Sequence, residues 1–398
     1  MQPFTYCNPT KIIFGEGTVP QLGTEVSAFG KRALLVYGQS SIKRSGLSET
    51  VLSSLQEADL AVLEWPGVKP NPLLGHARGG VELAKREKID VVVAVGGGSV
   101  IDEAKAIAAG AVTDRDIWDF YARAVPVEAA LPILTVLTLP AAGSEMNGGT
   151  VLTNEATQEK FGFMAPPLHP RASILDPTLT YTVPPSYTAY SAVDSMTHLL
   201  EGYFTHGDFW APIQERYVEG LLKTIMECTE RILAKPDDYP ARSTMMWAAT
   251  LAWNGLANAG LGAIELPNHM LEHPLSGIYD LPHGAGLSVV LPAWLTFAAR
   301  KEPARVAQMA RNVFGVAASD EAFTAEQGIA ALRGWFDKVG SPTSFAKAEL
   351  PVEEIDKIAD HAVRLAATWG ITRYTREDIV AIYRLAAQDQ PAPATSSL

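Results

Sequence analysis

Two clusters of imidazole and carboxylate side chains carry the clearest chemical signal in the sequence. The stretch "HMLEHPLSGIYDLPH" places His269, His273 and His283 within fifteen positions, although the 398-residue chain has only eight histidines. Upstream, "YSAVDSMTHLLEGYF" places Asp194 and His198 four residues apart. Residues four apart share one face of a helix. Two helix faces and a turn at "LPHGAG" can therefore direct several ligands at one divalent cation.

These five groups offer nitrogen and oxygen but no sulfur. Such a set suits Fe²⁺, Zn²⁺, Mn²⁺ or Co²⁺, and affinity order alone does not choose among them. A catalytic site keeps one coordination position open, so at least one of the five groups is expected to stay off the metal. An isolated Asp/His pair is more often a hydrogen-bonded contact than a ligand pair, but two such clusters together favour a metal.

A glycine-rich turn indicates a second binding function. The segment "DVVVAV" (90–95) runs directly into "GGGSVIDEAKAIAAG" (96–110). Three glycines let a ligand approach the backbone closely, and the N-terminus of the following helix presents unpaired N–H groups to an anion. This arrangement suits the pyrophosphate of a dinucleotide, although it is not the G-x-G-x-x-G fingerprint. The alternative is a tight strand–helix turn that binds no ligand.

The segment "GQSSIKRSG" (38–46) bears on the choice of nucleotide. Gly38 and Ser40 are placed to approach an adenine ribose. Sites for NAD(H) usually offer an acidic side chain to the ribose hydroxyl groups, whereas a phosphate at that position requires cations. The segment has no acid and contains Lys43 and Arg44, which favours NADP(H) over NAD(H). The alternative is that these two cations are ordinary surface charges.

The elements that must position these groups differ between the two halves of the chain. Four apolar segments in the first half are predicted to be buried parallel strands: "ALLVY" (33–37), "LAVLEW" (60–65), "DVVVAV", and "PILTVLTL" after Leu131. The segments "SSLQEADL" and "HARGGVELAKREK" are predicted helices between them. This alternation predicts a doubly wound α/β domain over residues 1–185. A β-hairpin is predicted at "TVLTNEATQEKFGF" (150–163) and a linker at "DPTLTYTVPPS" (176–186).

Beyond the linker the strand pattern disappears. Three segments show helical apolar spacing and end near glycine or proline: "YVEGLLKTIMECTERILA" (217–234), "EPARVAQMARNVFG" (302–315) and "AEQGIAALRGWFDKVG" (325–340). The sequence therefore predicts an all-helical domain over residues 186–398, which would hold the metal. The tail "QPAPATSSL" is low in hydrophobicity and is predicted to be frayed.

Composition excludes several classes of partner. A net charge of −12 and a pI near 5.2 argue against a nucleic-acid or anionic-membrane partner. Two cysteines, Cys7 and Cys228, make a disulfide scaffold or a thiolate metal site improbable. No signal peptide is recognisable at the N-terminus and no apolar run is long enough to span a membrane. We expect a cytoplasmic protein.

Several motifs together resemble the iron-containing (group III) alcohol dehydrogenases. They are "GGGSVIDEAKAIA", "TLPAAGSEMNGGTVLTNEATQEKFGF", "DSMTHLLEGY" and "HMLEHPLSGIYDLPHGAG", and the likeness runs from "NPTKIIFGEG" to at least "VVLPAWL" (289–295). The segments "SIKRSG" and "GSEMNGG…TQEKFGF" look most like the family's NADPH-dependent butanol dehydrogenase and aldehyde reductase branch. The resemblance implies an α/β N-terminal Rossmann-like domain with a parallel sheet plus an all-α C-terminal domain. This dehydroquinate synthase-like architecture places the active site in the cleft between them.

The resemblance also assigns roles to individual residues. It implies that the metal ligands are Asp194, His198, His269 and His283, and that His273 lies near the substrate and the nicotinamide, outside the metal shell. The phosphate-binding turn corresponds to Gly97, Gly98 and Ser99, with Asp102 behind it. The remaining cofactor contacts that it implies are Gly38, Ser40, Asn71, Thr138, Ser144, Lys160 and Leu179. Members that prefer NAD carry an aspartate at the position of Gln39, and its absence here supports NADP(H).

The predicted function is a metal-dependent alcohol dehydrogenase or aldehyde reductase that transfers a hydride between NADP(H) and a primary alcohol or aldehyde, with one Fe²⁺ or Zn²⁺ polarising the substrate oxygen. His273 is the predicted catalytic residue, because an imidazole titrates near neutral pH and can serve a proton path. A water or ribose hydroxyl relay is the alternative. We also expect a homodimer, with "TKIIFG" as a candidate interface segment.

Three other functions stay open at this point. One is a sibling of the same superfamily, either a polyol dehydrogenase or a dehydroquinate-synthase-like lyase. Another is a metal-dependent hydrolase, because Asp/His sites also activate water. The third is a non-catalytic nucleotide-binding homologue.

Overall fold

A computed structural model of the protein describes residues 1–388. The predicted frayed tail "QPAPATSSL" lies outside the described residues. The chain forms two compact units: an α/β unit of Tyr6–Val183 and Lys235–Leu256, and a helical unit of Met1–Thr5, Pro184–Ala234 and the chain from Ala257 onward. No helix among residues 1–388 combines the length and apolarity that a membrane crossing requires.

A six-stranded, all-parallel sheet organises the α/β unit. Its spatial order is β1-β8-β5-β4-β2-β3, and a separate antiparallel hairpin is formed by β6 and β7. The strands are β1 (Lys11–Phe14), β2 (Arg32–Tyr37), β3 (Ala61–Pro66), β4 (Val91–Gly97), β5 (Ile133–Leu139), β6 (Gly149–Asn154), β7 (Glu159–Met164) and β8 (Ala172–Leu175). The four predicted strands, the hairpin and the parallel sheet are confirmed.

The central strands are apolar throughout because helices cover both faces of a parallel sheet. The five residues from Val91 to Val95 in β4 are completely buried. Six helices alternate with these strands between residues 22 and 121: α1 (Leu22–Ser27), α2 (Ser41–Arg44), α3 (Leu47–Glu57), α4 (Leu74–Arg86), α5 (Gly98–Gly110) and α6 (Trp118–Tyr121). Strands β1 and β8 were not predicted from apolar pattern, since each has only four residues.

The second half of the chain is helical, as predicted. Its helices are α7 (Pro185–Thr205), α8 (Pro212–Ala234), α9 (Tyr239–Ala252), α10 (Pro267–Tyr279), α11 (His283–Ala299), α12 (Pro303–Phe314), α13 (Glu321–Lys338), α14 (Ile355–Trp369) and α15 (Arg376–Ala387). The predicted linker contains a short 3-10 turn, Pro177–Thr180, and ends where α7 begins.

Helix α9 belongs to the α/β unit although it lies within the second half of the chain. Thr250 Oγ1 in this helix donates to Glu145 Oε1 at 2.5 Å, and both side chains are buried. The division predicted from the sequence, 1–185 and 186–398, differs from the contact-defined units in this segment and in residues 1–5. Helical periodicity cannot reveal such a difference, because it shows that a helix has an apolar face but not which partner covers that face.

Candidate active site

The predicted metal ligands meet at one carboxylate oxygen. Asp194 and His198 lie one turn apart in α7, His269 is in the first turn of α10, and His283 is the first residue of α11. The distances from Asp194 Oδ1 are 3.0 Å to His198 Nδ1, 3.8 Å to His269 Nε2 and 3.7 Å to His283 Nε2. Three helices of the helical unit therefore bring three imidazoles around one aspartate.

The hydrogen bonding at this point fits a divalent cation. Asp194 Oδ1 and His269 Nε2 are buried and have no hydrogen-bond partner among residues 1–388. His198 Nδ1, close as it is to Asp194 Oδ1, hydrogen-bonds the Asp194 carbonyl oxygen at 3.0 Å. Leaving buried polar atoms unpaired is costly. A cation ligated by one carboxylate and three imidazoles would satisfy both atoms, and this donor set suits Fe²⁺ or Zn²⁺.

Two buried glutamates orient the histidines. His269 Nδ1 lies 3.0 Å from Glu201 Oε1, and that carboxylate also accepts hydrogen bonds from the backbone amides of Asn268 and His269 at 2.9 and 3.0 Å. His283 Nδ1 hydrogen-bonds Glu272. Engaging Nδ1 in this way fixes the ring and directs Nε2 towards Asp194, which is the usual arrangement around metal-bound histidines.

Sequence reasoning missed both glutamates. Glu201 lies seven residues after Asp194, so it returns to the same face of α7, and Glu272 lies three residues after His269. Both stand inside the stretches that contain the predicted ligands. A carboxylate one or two helical turns from a candidate ligand is therefore the signal that could have identified them.

The charges at the site are strongly coupled. Burial raises the pKa of Asp194, but the neighbouring imidazoles, led by His198, outweigh burial and hold that pKa well below its usual range. Burial lowers the pKa of His269, while Asp194 and Glu201 outweigh it and raise the pKa to about 9. A metal that binds His269 Nε2 must therefore displace a proton at neutral pH.

His273 lies beside the predicted ligands. It is buried, and its ring centroid is 6.3 Å from that of His269, 5.6 Å from that of His283 and 5.2 Å from that of Trp369 in α14. Two triplets have mutually close ligand atoms: Asp194, His198 and His269, and Glu272, His273 and His283. Proximity alone does not separate His273 from the metal shell, so its placement outside the shell stays a prediction.

The glycine turn has the backbone geometry of an anion site. A Cβ on Gly96 would lie 2.5 Å from Val100 Cγ2, and one on Gly97 would lie 3.0 Å from Leu139 Cβ. Helix α5 starts at Gly98, and its N-cap, Gly97, provides no side-chain hydrogen bond. The first backbone amides of α5 therefore donate no hydrogen bond to a side chain at position 97. The glycines leave room for a pyrophosphate group to approach these amides.

The other predicted cofactor residues lie mostly at the carboxyl ends of neighbouring strands. Gly38 and Ser40 follow β2, the glycine turn follows β4 and Thr138 lies near the end of β5, while β2, β4 and β5 are adjacent in the sheet. Nucleotides bind at this edge of open parallel sheets. Elsewhere in the unit, Lys160 Nζ donates to Asn71 Oδ1 at 3.2 Å, Ser99 Oγ donates to the Pro70 carbonyl, and Leu179 packs on the core.

Two predicted cofactor residues contact each other. Ser144 Oγ donates to Asp102 Oδ1 at 2.6 Å, and both side chains also lie close to the buried ammonium group of Lys105. Ser144 is 3% exposed, so its hydroxyl group is directed into the α/β unit. Sequence reasoning missed Lys105, because a lysine five residues before the end of an alanine-rich helix gives no sign that it is buried.

The segment 38–46 has an acidic neighbour that the sequence did not reveal. Lys43 Nζ lies 3.8 Å from Glu64 Oε2, and Tyr37 OH donates to the same carboxylate. Arg44 hydrogen-bonds Ser40 Oγ. Glu64 comes from β3, which pairs with β2 in parallel register, so a strand adjacent in space supplies the acid that the segment itself lacks.

Comparisons with known proteins match both halves of the chain. The model of the family described as "Iron-containing alcohol dehydrogenase" matches residues 9–177, and "Fe-containing alcohol dehydrogenase family, C-terminal" matches residues 188–387. A Bacillus subtilis protein named "Probable NADH-dependent butanol dehydrogenase 1" is 42% identical over 96% of this chain and 99% of its own. The "NADPH-dependent aldehyde reductase YqhD" of Escherichia coli is 36% identical over 86% of this chain and 88% of its own.

A solved structure agrees with these sequence matches. The crystal structure of an NADH-dependent butanol dehydrogenase A from Thermotoga maritima has a TM-score of 0.95 and 43% sequence identity. The alignment covers 98% of this chain and 99% of that one. The predicted resemblance and the predicted architecture, an N-terminal α/β domain with a parallel sheet and a helical C-terminal domain, are both confirmed.

Proposed function

Because the chain belongs to the iron-containing alcohol dehydrogenase family, we propose that it transfers a hydride between NADP(H) and a primary alcohol or aldehyde, with Asp194, His198, His269 and His283 holding one Fe²⁺ or Zn²⁺. The observation that carries this proposal is the meeting of three imidazoles at Asp194 Oδ1, where two buried ligand atoms, Asp194 Oδ1 and His269 Nε2, have no hydrogen-bond partner within residues 1–388. A hydrolase would share the metal ligands but would not need the glycine turn.

Each part of the chain has a defined task in this reaction. A divalent metal at the site supplies Lewis acidity towards the substrate oxygen. Glu201 and Glu272 keep the imidazoles oriented, which holds the ligand set in place through the reaction. The glycine turn binds the pyrophosphate of the nucleotide and so fixes the nicotinamide, because a hydride donor must be held within about 3–3.5 Å of its acceptor.

We assign the proton step to His273. Its ring is buried between the histidine cluster and Trp369, where it can hydrogen-bond an oxygen of a substrate placed beside the metal ligands. The Trp369 ring meets the His273 ring at an interplanar angle of 75°. Such an edge contact restricts rotation of the imidazole. A relay through water or a ribose hydroxyl is the competing route.

We propose NADP(H) as the preferred nucleotide, because the segment 38–46 offers a phosphate the cations Lys43 and Arg44 and has glutamine at position 39. The acid at this point, Glu64, comes from the neighbouring strand and lies 3.8 Å from Lys43. The named relatives use either nucleotide, so they do not decide the preference. A homodimer that pairs through β1, the edge strand of the sheet, and a cytoplasmic location belong to the same proposal.

The test is a rate measurement with defined metal. Protein purified without oxygen is analysed for metal and then assayed by absorbance at 340 nm with a series of primary aldehydes and either NADPH or NADH. Aldehyde-dependent oxidation, faster with NADPH, is expected. Hydrolysis without any nucleotide would instead favour a hydrolase. Metal-loaded protein that binds nucleotide but reduces no carbonyl compound would favour the lyase sibling or a binding protein.

A further inference from the structure

Lys105 of α5 is a fully buried lysine whose ammonium group is surrounded by oxygen atoms. The acceptors all come from the segment 143–149, which follows β5 and is called the 143–149 loop below. Nζ donates to the carbonyl oxygens of Ser144, Asn147 and Gly149 at 2.7, 2.9 and 2.7 Å, and it also contacts Ser144 Oγ at 2.8 Å and Asn147 Oδ1 at 3.3 Å. One cation therefore gathers three carbonyl groups of residues 144–149 at a single point.

Asp102 of the same helix holds both the start of the loop and the beginning of β6, the strand that follows it. Its carboxylate accepts from Ser144 Oγ at 2.6 Å and from the Val151 amide at 3.2 Å, and its carbonyl oxygen accepts from Thr150 Oγ1 at 2.8 Å. Burial raises the pKa of Asp102 to about 6 and lowers that of Lys105 to about 8, and each charge partly opposes the shift of the other. A buried charge is tolerated where it has this degree of pairing.

The residues that lead into this loop lie against the glycine turn. A Cβ added to Gly98 would be 3.5 Å from Ala142 Cβ, directly before the loop, and Leu139 at the end of β5 lies against Gly97. Gly143 adopts a left-handed conformation with φ of +61°, and its own Cβ position is 3.4 Å from the carbonyl oxygens of Ala249 and Thr250 in α9. The loop is therefore fixed between α5 and α9, and the residues before it, Leu139 and Ala142, line the glycine turn.

We propose that Lys105 is a positioning residue of the nucleotide site, which anchors the 143–149 loop, thereby keeps the preceding Ala142 against the glycine turn, and so sets nucleotide affinity. Its side chain is too deeply buried to touch the nucleotide. Without the ammonium group, three carbonyl dipoles that now converge on a cation would repel one another, and the loop would move and carry Ala142 away from the turn. This inference rests on the proposed function, because it requires that the turn binds a nicotinamide nucleotide.

The test uses Lys105→Met, which keeps the length of the side chain and removes its charge. Three quantities are measured on the full chain: hydrogen exchange of residues 140–152 in cofactor-free protein, the dissociation constants of NADPH and NADH by fluorescence, and kcat at saturating nucleotide. Ser54→Ala is the matched control. Ser54 is a buried residue of the same unit that makes two hydrogen bonds away from the loop.

The expected result is faster exchange confined to residues 140–152 and nucleotide dissociation constants raised about tenfold or more, equivalent to about 1.4 kcal/mol. The metal content of Lys105→Met and its kcat at saturating nucleotide are expected to stay at the wild-type level. Ser54→Ala should change neither the hydrogen exchange of residues 140–152 nor the nucleotide dissociation constants. If Lys105→Met does not fold, Asn147→Ala decides, because Asn147 Oδ1 contacts Lys105 Nζ at 3.3 Å within the loop; the change is expected to be smaller and in the same direction.

Two results would overturn the proposal. Unchanged nucleotide affinity in the variant, or exchange that rises uniformly over the α/β unit, would mean that Lys105 only stabilises the fold. In the first case the wild-type protein still binds nucleotide and the proposed function stands. Wild-type protein that binds neither NADPH nor NADH would overturn the proposed function and this inference together.

Discussion

Replacing Glu201 by glutamine is expected to weaken metal binding by about ten- to a hundredfold, as other losses of a carboxylate behind a metal-bound histidine do. In free energy this is about 1.4–2.7 kcal/mol. Oε1 of Glu201 accepts hydrogen bonds from the backbone amides of Asn268 and His269 and from His269 Nδ1. Oε2 of Glu201 accepts from the side-chain Nδ2 of Asn268 at 3.1 Å. A glutamine can keep the three hydrogen bonds to Oε1, but its NH₂ group would replace Oε2 and face Nδ2 of Asn268, so that two hydrogen-bond donors would oppose each other.

The loss of charge acts on His269 in two opposite ways. A neutral amide makes the imidazole less basic and orients it less firmly, which weakens the bond to the metal. The same change lowers the pKa of His269, which Asp194 and Glu201 now raise to about 9, so the proton competes less for Nε2. Proton competition disappears as the pH rises through that pKa. The deficit of the variant is therefore expected to be smaller near neutral pH than above pH 9.

The assay is titration of metal-free protein with Zn²⁺ against a competing chelator at both pH values. Glu219→Gln is the matched control, because Glu219 is also a buried carboxylate of the helical unit and accepts from Tyr203 OH and Asn312 Nδ2, both at 2.8 Å. Wild-type metal affinity in Glu201→Gln, or an equal loss in Glu219→Gln, would refute the reasoning that Glu201 acts through His269.

Three further predictions address the ligands, the nucleotide preference and the glycine turn. His269→Ala is expected to lose metal and turnover together, whereas His273→Ala should keep the metal, measured by elemental analysis, and lose turnover; if both keep or both lose the metal, the proposed division of roles is wrong. Glu64→Gln should release Lys43 from its ion pair and lower the KM for NADPH by roughly two- to fivefold relative to NADH, within the range of exposed ion pairs; an unchanged ratio would show that Lys43 does not contact the nucleotide. Gly96→Ala should raise nucleotide KM about tenfold or more, since the new Cβ would lie 2.5 Å from a valine methyl group, while metal content stays at the wild-type level; an unchanged KM would contradict the assignment of the turn.

Local pattern was sufficient for the elements that carry the site. A helix repeats every 3.6 residues, so the four-residue spacing of Asp194 and His198, and of His269 and His273, already placed each pair on one helix face. The continuous apolar run at 91–95 predicted a central strand, and the glycines after it predicted the turn into α5. These predictions succeeded because each depends on neighbours along the chain.

Local pattern could not predict the roles of charged residues whose partners lie on another helix or strand. Glu201 and Glu272 stand among the predicted ligands, yet their pairing with His269 and His283 requires the packing of α7, α10 and α11 against one another. Strand β8 was missed for a different reason, since a strand of four residues is too short to show a period.

The sequence by itself determined the ligand types, their spacing, the glycine turn and the alternation of strands and helices, because bond geometry and helical or strand period act over a few residues. Only the tertiary structure decided that Glu64 of β3 faces Lys43, that α9 packs with the α/β unit, and that Lys105 is buried among loop carbonyls. These three facts depend on the order of the strands in the sheet and on which helix packs against which surface. Both are set by contacts between residues that are distant in the chain.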